Sequence, residues 1–397
     1  MNRTGSRRLP DPRDLRVVIL SDAMPSRNGV GTYYADLAEH LSDRVEQVTL
    51  LAPPAEGEGE FRGLAFPMPG DPTQKLYWPS PFWLGHQIRE MDPHVIISAT
   101  PGGYGMLGLG MAAYLRTAFC VGYHTEYSEL AGLYWKKSLG KFYNALLAFW
   151  DRLMFRFGSV VLATNESLRD RALVLGAQEA HIMGTPVQAE FLNRPLPPSP
   201  RKIRTVTFAG RLAPEKELGQ IRTAAEALPH LQFHIAGEGP LRKDVEGWAR
   251  ALPNLTYDGW MVRTGVLDLL DDTDLLVLPS RFETFGTVAF EAMIRGRLAL
   301  VSAHCGIIRW PELTSGLFVM EEGEPLHRAL ERILAMEEGE LEETALRGME
   351  ASRAMSRLMA YTRELTTGRA SADGTIDRPP AEAPPFPAYA AGRNDDA

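Results

Sequence analysis

Leu275–Met293, reading L-L-V-L-P-S-R-F-E-T-F-G-T-V-A-F-E-A-M, holds a strand, a loop and a helix in one short run. Four consecutive apolar residues, Leu275 to Leu278, fit a strand buried on both faces. Pro279 ends it, and a helix begins near Gly286 or Thr287. A strand leading through a short loop into a helix is the repeating half of a parallel βαβ unit, so the segment predicts an α/β fold. The free N–H groups and positive dipole end of that helix would face the carboxyl end of the strand, where a diphosphate is stabilised. Glu283 sits at the helix mouth and Glu291 further into the helix, so the two carboxylates can address different parts of one extended ligand.

The same alternation continues on both sides. Val17 to Leu20, Val45 to Leu51, Val95 to Ser98, Phe119 to Tyr123 and Val160 to Ala163 read as one series of buried strands. Thr205 to Ala209, Leu231 to Ala236, Leu255 to Tyr257, Leu275 to Leu278 and Leu298 to Ser302 form a second. Each series predicts a doubly wound parallel sheet, and a cleft lined by strand C-termini is where such sheets hold ligands. Between them, Arg194-Pro195-Leu196-Pro197-Pro198-Ser199-Pro200 disfavours helix and central strand alike. The predicted organisation is a flexible N-terminus over 1–15, a first domain over 16–193, a linker over 194–202, a second domain over 203–369 closed by a helix from Glu340 to Leu365, and a disordered tail over 370–397.

Bulk properties agree. A chain of 397 residues exceeds what one core usually serves, and 45% hydrophobic with 23% charged residues is a globular composition. No run approaches the ~20 apolar residues of a membrane span, and the first residues lack the apolar core of a secretory signal. Cys120 and Cys305, the two cysteines, lie far apart in sequence and read as reduced packing residues. A net charge of −8 argues against wholesale nucleic-acid binding but allows a local basic patch.

Two other loops carry matching chemistry. In Ala209-Gly210-Arg211-Leu212-Ala213-Pro214-Glu215-Lys216-Glu217, a strand ends at Gly210 and the cations Arg211 and Lys216 suit a leaving diphosphate. Gly237-Glu238-Gly239-Pro240-Leu241 makes a turn after the next strand. Singly, such cations usually form a solvated face, and two glutamates eight apart carry little; the order and spacing together point to one site. The segments resemble the E-T-F-G-x-x-x-x-E-A-M, G-R-L-x-x-E-K and G-x-G-P-L signatures of the retaining glycosyltransferases of family 4. These have the GT-B fold, two Rossmann-like domains facing a cleft. The resemblance implies that Arg211 and Lys216 neutralise donor phosphates, that Glu283 contacts the donor sugar and Glu291 the ribose. It also implies a donor site lined by Gly210, Gly237, Phe285, Gly286 and Thr287, with the base near Trp260 and Met261. One departure stands out: where the family continues A-x-G-x-P-V-V, this chain has Ile294-Arg295-Gly296-Arg297-Leu298-Ala299-Leu300, without the turn-forming proline.

In the first half, Ser26-Arg27-Asn28-Gly29-Val30-Gly31-Thr32 opens a helix and resembles the family's N-G-V loop, where Gly29 would let backbone approach the donor. A plain turn reads equally well from the residues alone. His124-Thr125-Glu126 resembles the H-T motif of glycolipid-forming members, which implies that His124 hydrogen-bonds the donor sugar or acceptor; a lone histidine is more often structural. Gly103-x-Gly105-x-x-Gly108 offers a competing reading as a dinucleotide-binding oxidoreductase. Its mid-domain position, with Gly110 extending the small-residue run, suits close helix packing instead. From Leu133 to Phe157, aromatic residues interleave with Lys136, Lys137, Lys141, Arg152 and Arg156, fitting either a membrane interface or a helix pair with a solvated cationic face. Trp78, Phe82 and Trp83 either join that patch or fill the core.

The resemblance implies a retaining hexosyltransferase that takes a nucleoside-diphosphate sugar, UDP-sugar favoured over GDP-sugar, with no separate cofactor and no metal. The expected partners are the nucleotide sugar and an acceptor, a lipid head group in preference to a soluble carbohydrate, with peripheral membrane contact through 133–157 and no nucleic acid. A non-catalytic nucleotide-sugar sensor is the alternative from another class. The expected location is cytoplasmic, with any lipid contact at the inner face of the membrane.

Overall fold

A computed structural model describes residues 10–25, 29–54, 59–68, 71–124, 137–185 and 187–366. In the first half the elements are β1 (Arg16–Leu20), α1 (Gly29–Ser42), β2 (Gln47–Leu51), β3 (Gly63–Met68), β4 (Asp71–Pro79), α2 (Pro81–Met91), β5 (Val95–Ser98), α3 (Gly103–Leu115), β6 (Ala118–Tyr123), α4 (Lys137–Phe157), β7 (Val160–Ala163), α5 (Glu166–Leu175), β8 (Ala180–Ile182) and α6 (Ala189–Asn193). Six strands form a parallel sheet in the order β2-β1-β5-β6-β7-β8. Local chemistry sets the helix ends: Ser80 and Asn165 accept from the Trp83 and Leu168 amides at the starts of α2 and α5, and Gly176 closes α5 in the left-handed region. One face of the sheet packs Leu84, Ile88, Tyr104 and Phe155 from α2, α3 and α4, and the other packs Tyr33, Tyr34 and Leu37 from α1.

The second half comprises β9 (Thr205–Ala209), α7 (Gly219–Ala227), β10 (Gln232–Ala236), α8 (Arg242–Ala251), β11 (Leu255–Gly259), α9 (Arg263–Asp271), β12 (Leu275–Leu278), α10 (Thr287–Ile294), β13 (Leu298–Val301), α11 (Pro311–Thr314), β14 (Phe318–Val319), α12 (Leu326–Leu334) and α13 (Glu338–Thr366). Its parallel sheet runs β11-β10-β9-β12-β13-β14, an order that reverses direction between β9 and β12. A single core surrounds it, with Phe208, Phe233 and Phe290 fully buried, each contributing about 2–3 kcal/mol.

The predicted strands recur with ends shifted by one or two residues. The antiparallel ribbon of β3 and β4 was not among them, because Pro67, Pro72 and Pro79 mask its alternation. β8 and β14 were also missing, too short to make a pattern. Within the stretch read as flexible, Pro12–Asp14 forms a 3-10 turn capped by Asp11. The tail over 370–397 lies outside the described residues.

The proline-rich stretch is held by two buried arginines from the motif that departs from the family. Arg295, with no exposed surface, donates to the carbonyls of Phe191 (3.0 Å), Arg194 (2.8 Å) and Pro195 (2.6 Å) and to both carboxylate oxygens of Asp271 (2.7 and 3.1 Å). Arg297 donates to the carbonyls of Pro197 and Pro198. Prolines lack N–H donors but keep carbonyls, and guanidinium forks satisfy them.

Candidate functional site

β9 and β12 pair only over Val206↔Leu275 and Thr207↔Leu276, whereas β9 pairs with β10 along its whole length. The neighbours therefore part towards their C-terminal ends, opening a crevice at the point where strand order reverses, the position at which doubly wound sheets bind ligands. Gly210, Arg211 and the 3-10 turn Pro214–Lys216 border it from β9, and the loop carrying Glu283 borders it from β12. Lys216 Nζ donates to Glu283 Oε2, both side chains being mostly buried. Arg211 Nη2 lies 2.8 Å from Glu215 Oε1, and the Arg281 amide donates to the Glu215 carbonyl at 2.8 Å. The cations and Glu283 predicted from separate motifs thus share one side of the molecule.

The helix mouth is built by close backbone packing. Gly286 precedes α10 in the left-handed region (φ +91°) with no side-chain cap, so the first amides of α10 are left for another acceptor. A Cβ on Gly286 would lie 2.7 Å from Cys305 Sγ. Burial pushes the Cys305 thiol up to about 12, which makes it a packing group. A Cβ on Gly237 would lie 1.8 Å from the Gly210 carbonyl oxygen, so the turns after β9 and β10 stack backbone on backbone. Trp260 is half exposed and Met261 partly buried on the loop after β11. Thr287 opens α10.

Two predicted donor contacts stand differently. Phe285 turns its ring into the core, 5.5 Å from Phe290 and 6.3 Å from Trp310, so that only its backbone borders the mouth. Glu291 is 1% exposed and already engaged: Arg263 Nη2 lies 2.6 Å from its Oε1. Arg263 also lies 3.7 Å from Asp36 of α1, to which Gln188 donates at 3.0 Å, and stacks over Phe191. Burial raises the Asp36 carboxyl to about 6 against the opposing pull of Arg263.

On the opposite wall His124 directly follows β6. Its Nε2 meets the Tyr34 hydroxyl at 2.9 Å, and its ring packs edge-on against Tyr33 and Tyr34. A Cβ on Gly122 would lie 1.8 Å from that hydroxyl, so glycine there admits the pairing. Burial lowers the His124 imidazole to about 4. The halves touch where Asn165 Nδ2 donates to the Thr284 carbonyl at 3.3 Å.

Residues 27–191 match the family model described as Glycosyltransferase Family 4, and residues 192–346 match that of Glycosyl transferases group 1. The chain belongs to the family-4 glycosyltransferases. It is similar to sulfoquinovosyl transferase SQD2 of Arabidopsis thaliana, 24% identical over 232 residues that cover 55% of this chain and 44% of that one. It is also similar to the GDP-mannose-dependent alpha-(1-6)-phosphatidylinositol dimannoside mannosyltransferase of Mycobacterium tuberculosis, 31% identical over 138 residues, 34% of this chain and 36% of the relative. These matches span less than half the length of either relative. HepE of Anabaena, solved in complex with UDP-glucose, superposes with a TM-score of 0.64 at 16% identity, covering 88% of this chain and 99% of its own. The two facing parallel-sheet units are those of the GT-B fold.

Two residues of this family-4 chain that matter for the site, Asp22 and Arg263, carried no sequence signal. Asp22, in the loop after β1, accepts from Thr100 Oγ1 and from the Tyr104 amide at 3.0 Å, and a Cβ on Gly102 would lie 2.5 Å from its carboxylate. This carboxylate fills the anion cradle at the start of α3, while Gly105 and Gly108 pack against the Thr100 carbonyl and Leu20, so Gly103-x-Gly105-x-x-Gly108 is a packing run. Burial holds the Asp22 carboxyl near 6. Gly31 is the glycine of the first loop that backbone approach demands, since its Cβ would lie 1.9 Å from the Met24 carbonyl oxygen; Gly29 has open space around it. Arg263 was the second residue without a signal. Among the described residues no group of His, Cys, Asp or Glu is arranged to hold a metal ion, and no helix is long and apolar enough to cross a membrane. Of the segment 133–157, residues 133–136 lie outside the described residues; further along, Leu146, Phe149, Arg152, Arg156 and Phe157 are exposed on α4.

Proposed function

We propose that this chain transfers a hexose from a nucleoside-diphosphate sugar, UDP-sugar in preference to GDP-sugar, to the hydroxyl of a lipid head group with retention of configuration. The observation that carries the reading is the meeting of Lys216 and Glu283, from two different loops, at the splayed ends of β9 and β12 beside the uncapped start of α10. Preorganised donors at that point stabilise the charge that develops on a departing diphosphate. Lys216 and Arg211 take the phosphate oxygens, Glu283 accepts from sugar hydroxyls, and the acceptor hydroxyl passes its proton to the leaving phosphate on the same face. His124, neutral at pH 7, orients sugar or acceptor through its hydrogen-bonding face. The solved complex of HepE with UDP-glucose supports the donor class, and the mannosyltransferase named for phosphatidylinositol dimannoside supports a lipid acceptor. On this reading residues 16–193 carry the acceptor and 203–369 the donor.

Thermal-shift measurements against UDP-, GDP- and ADP-sugars identify the donor, because a ligand bound only by the folded state raises apparent stability. With that donor, Lys216→Ala and Glu283→Ala each reduce transfer by about 100-fold or more. Transfer at the parent rate in both variants rejects the site. Transfer to soluble carbohydrate but to no lipid replaces the acceptor class and leaves the donor site standing.

A further inference from the structure

β3 and β4 form an antiparallel ribbon between β2 and α2, in register Leu64↔Trp78 and Phe66↔Leu76. Side chains alternate across a strand, so these four share one face. All four are 43–61% exposed, and Phe82, in the first turn of α2, is 91% exposed. The ribbon's orientation is fixed by its other face, where the Tyr77 ring packs on Phe61 at 5.0 Å and its hydroxyl reaches Met24. The apolar four therefore point outward, and with Phe82 they expose on the order of 500 Å², the size at which the largest apolar patch of a monomer is often functional. The helix layer beside it continues the pattern. α3 has no charged residue, and its exposed positions are Gly110, Ala113 and Tyr114, where an outer helix normally presents polar side chains. Across α3, α4 exposes Leu146 and Phe149.

Charge names the occupant. Among the described side chains, β3, β4, α2, α3 and α4 expose four basic residues, Lys75, Arg89, Arg152 and Arg156, against one acidic residue, Glu90, a surplus of three in a chain of net charge −8. A second copy on this face would set like charges against each other, whereas an anionic lipid surface complements them. On this face Phe66 and Leu76 lie nearer the tip and Leu64 and Trp78 nearer the base, and tryptophan beside aliphatic side chains suits a membrane–water interface. It stands at the C-terminal end of the first sheet, the side of the cleft: a Cβ on Gly103 at the start of α3 would lie 2.7 Å from the Tyr77 carbonyl oxygen.

We propose that the outer face of this ribbon, with Phe82, docks the protein on an anionic bilayer and holds the cleft mouth against it; this rests on the lipid-acceptor reading above. The full chain is sedimented with vesicles of phosphatidylcholine alone or mixed with phosphatidylglycerol. The parent binds the anionic vesicles, more weakly at high salt, and the variant combining Leu64→Ser, Phe66→Ser, Leu76→Ser and Trp78→Ser loses at least about tenfold in bound fraction, while its stabilisation by the donor nucleotide stays at the parent value. In brominated lipid, tryptophan quenching of the parent exceeds that of Trp78→Phe, a comparison that holds even if the fourfold variant does not fold. Equal vesicle binding by parent and variant, or equal quenching, overturns the assignment and leaves the lipid reading intact. A parent that binds no vesicle but dimerises through these residues overturns it in favour of a self-interface. Loss of nucleotide stabilisation in the parent itself counts against the donor reading instead.

Discussion

Arg263 Nη2 lies 2.6 Å from Oε1 of Glu291, so the second glutamate of the donor signature is neutralised by a cation from the neighbouring helix. Arg263 also faces Asp36 of α1, which makes it the link between the Glu291 carboxylate and the first half of the chain. Removing one partner of a buried pair leaves an uncompensated charge. Arg263→Ala is expected to lower stability by about 3–5 kcal/mol in urea unfolding, and adding Glu291→Gln to recover part of the loss. Additive losses in the double variant would show that the two residues do not act as a pair.

Arg295 satisfies its five N–H donors with the Asp271 carboxylate, the Phe191 carbonyl of α6 and two carbonyls at the start of the linker. Lysine offers three donors from a single point and cannot span them. Arg295→Lys should cost about 2–4 kcal/mol and Arg295→Met no less, read as a fall in Tm of about 2–4 °C per kcal/mol. An unchanged Tm in Arg295→Lys would contradict the assigned role.

Gly286 combines a left-handed backbone with close contact to Cys305. Gly286→Ala is expected to destabilise by about 1–2 kcal/mol from backbone strain alone, with a further loss from the Cys305 contact, and to weaken donor binding by shifting the start of α10. Cys305→Ala in the same chain relieves only the contact. Calorimetric titration with the donor nucleotide follows the affinity, and full recovery in the double variant would place the whole effect on packing.

His124 has a folded-state pKa of about 4, below its ordinary 6.5, because burial disfavours the imidazolium. Between those values the unfolded chain binds a proton that the folded chain refuses, so this contribution is complete above pH 6.5 and is lost as pH falls towards 4. Relative to His124→Gln, the parent should lose about 2 kcal/mol between pH 7 and pH 5, measured by chemical denaturation at each pH. A stability difference independent of pH would mean that His124 protonates freely in the fold. Asp22 and Asp36, with carboxyls raised to about 6, act in the opposite direction over about pH 4–6 in parent and variant alike and drop out of the comparison.

Sequence alone determined the two parallel sheets and the loops that follow β9, β10 and β12. Buried parallel strands are short apolar runs in any context, and the loops between them carry residues whose types follow from local demands: Gly286 from a left-handed turn, Arg211 and Lys216 from charge. Family membership was legible in the same stretches, because order and spacing survive in one dimension.

Tertiary structure alone decided what each charged side chain meets. Glu291 and Arg263 are 28 residues apart, Asp22 and Tyr104 are 82 apart, and Arg295 and Pro195 are 100 apart, so no local pattern relates them. The partner of a buried charge is set by which helices the sheet brings side by side. The outward face of the β3–β4 ribbon was hidden for the same reason: strand register and the packing of Tyr77, not composition, determine that Leu64, Phe66, Leu76 and Trp78 point to solvent.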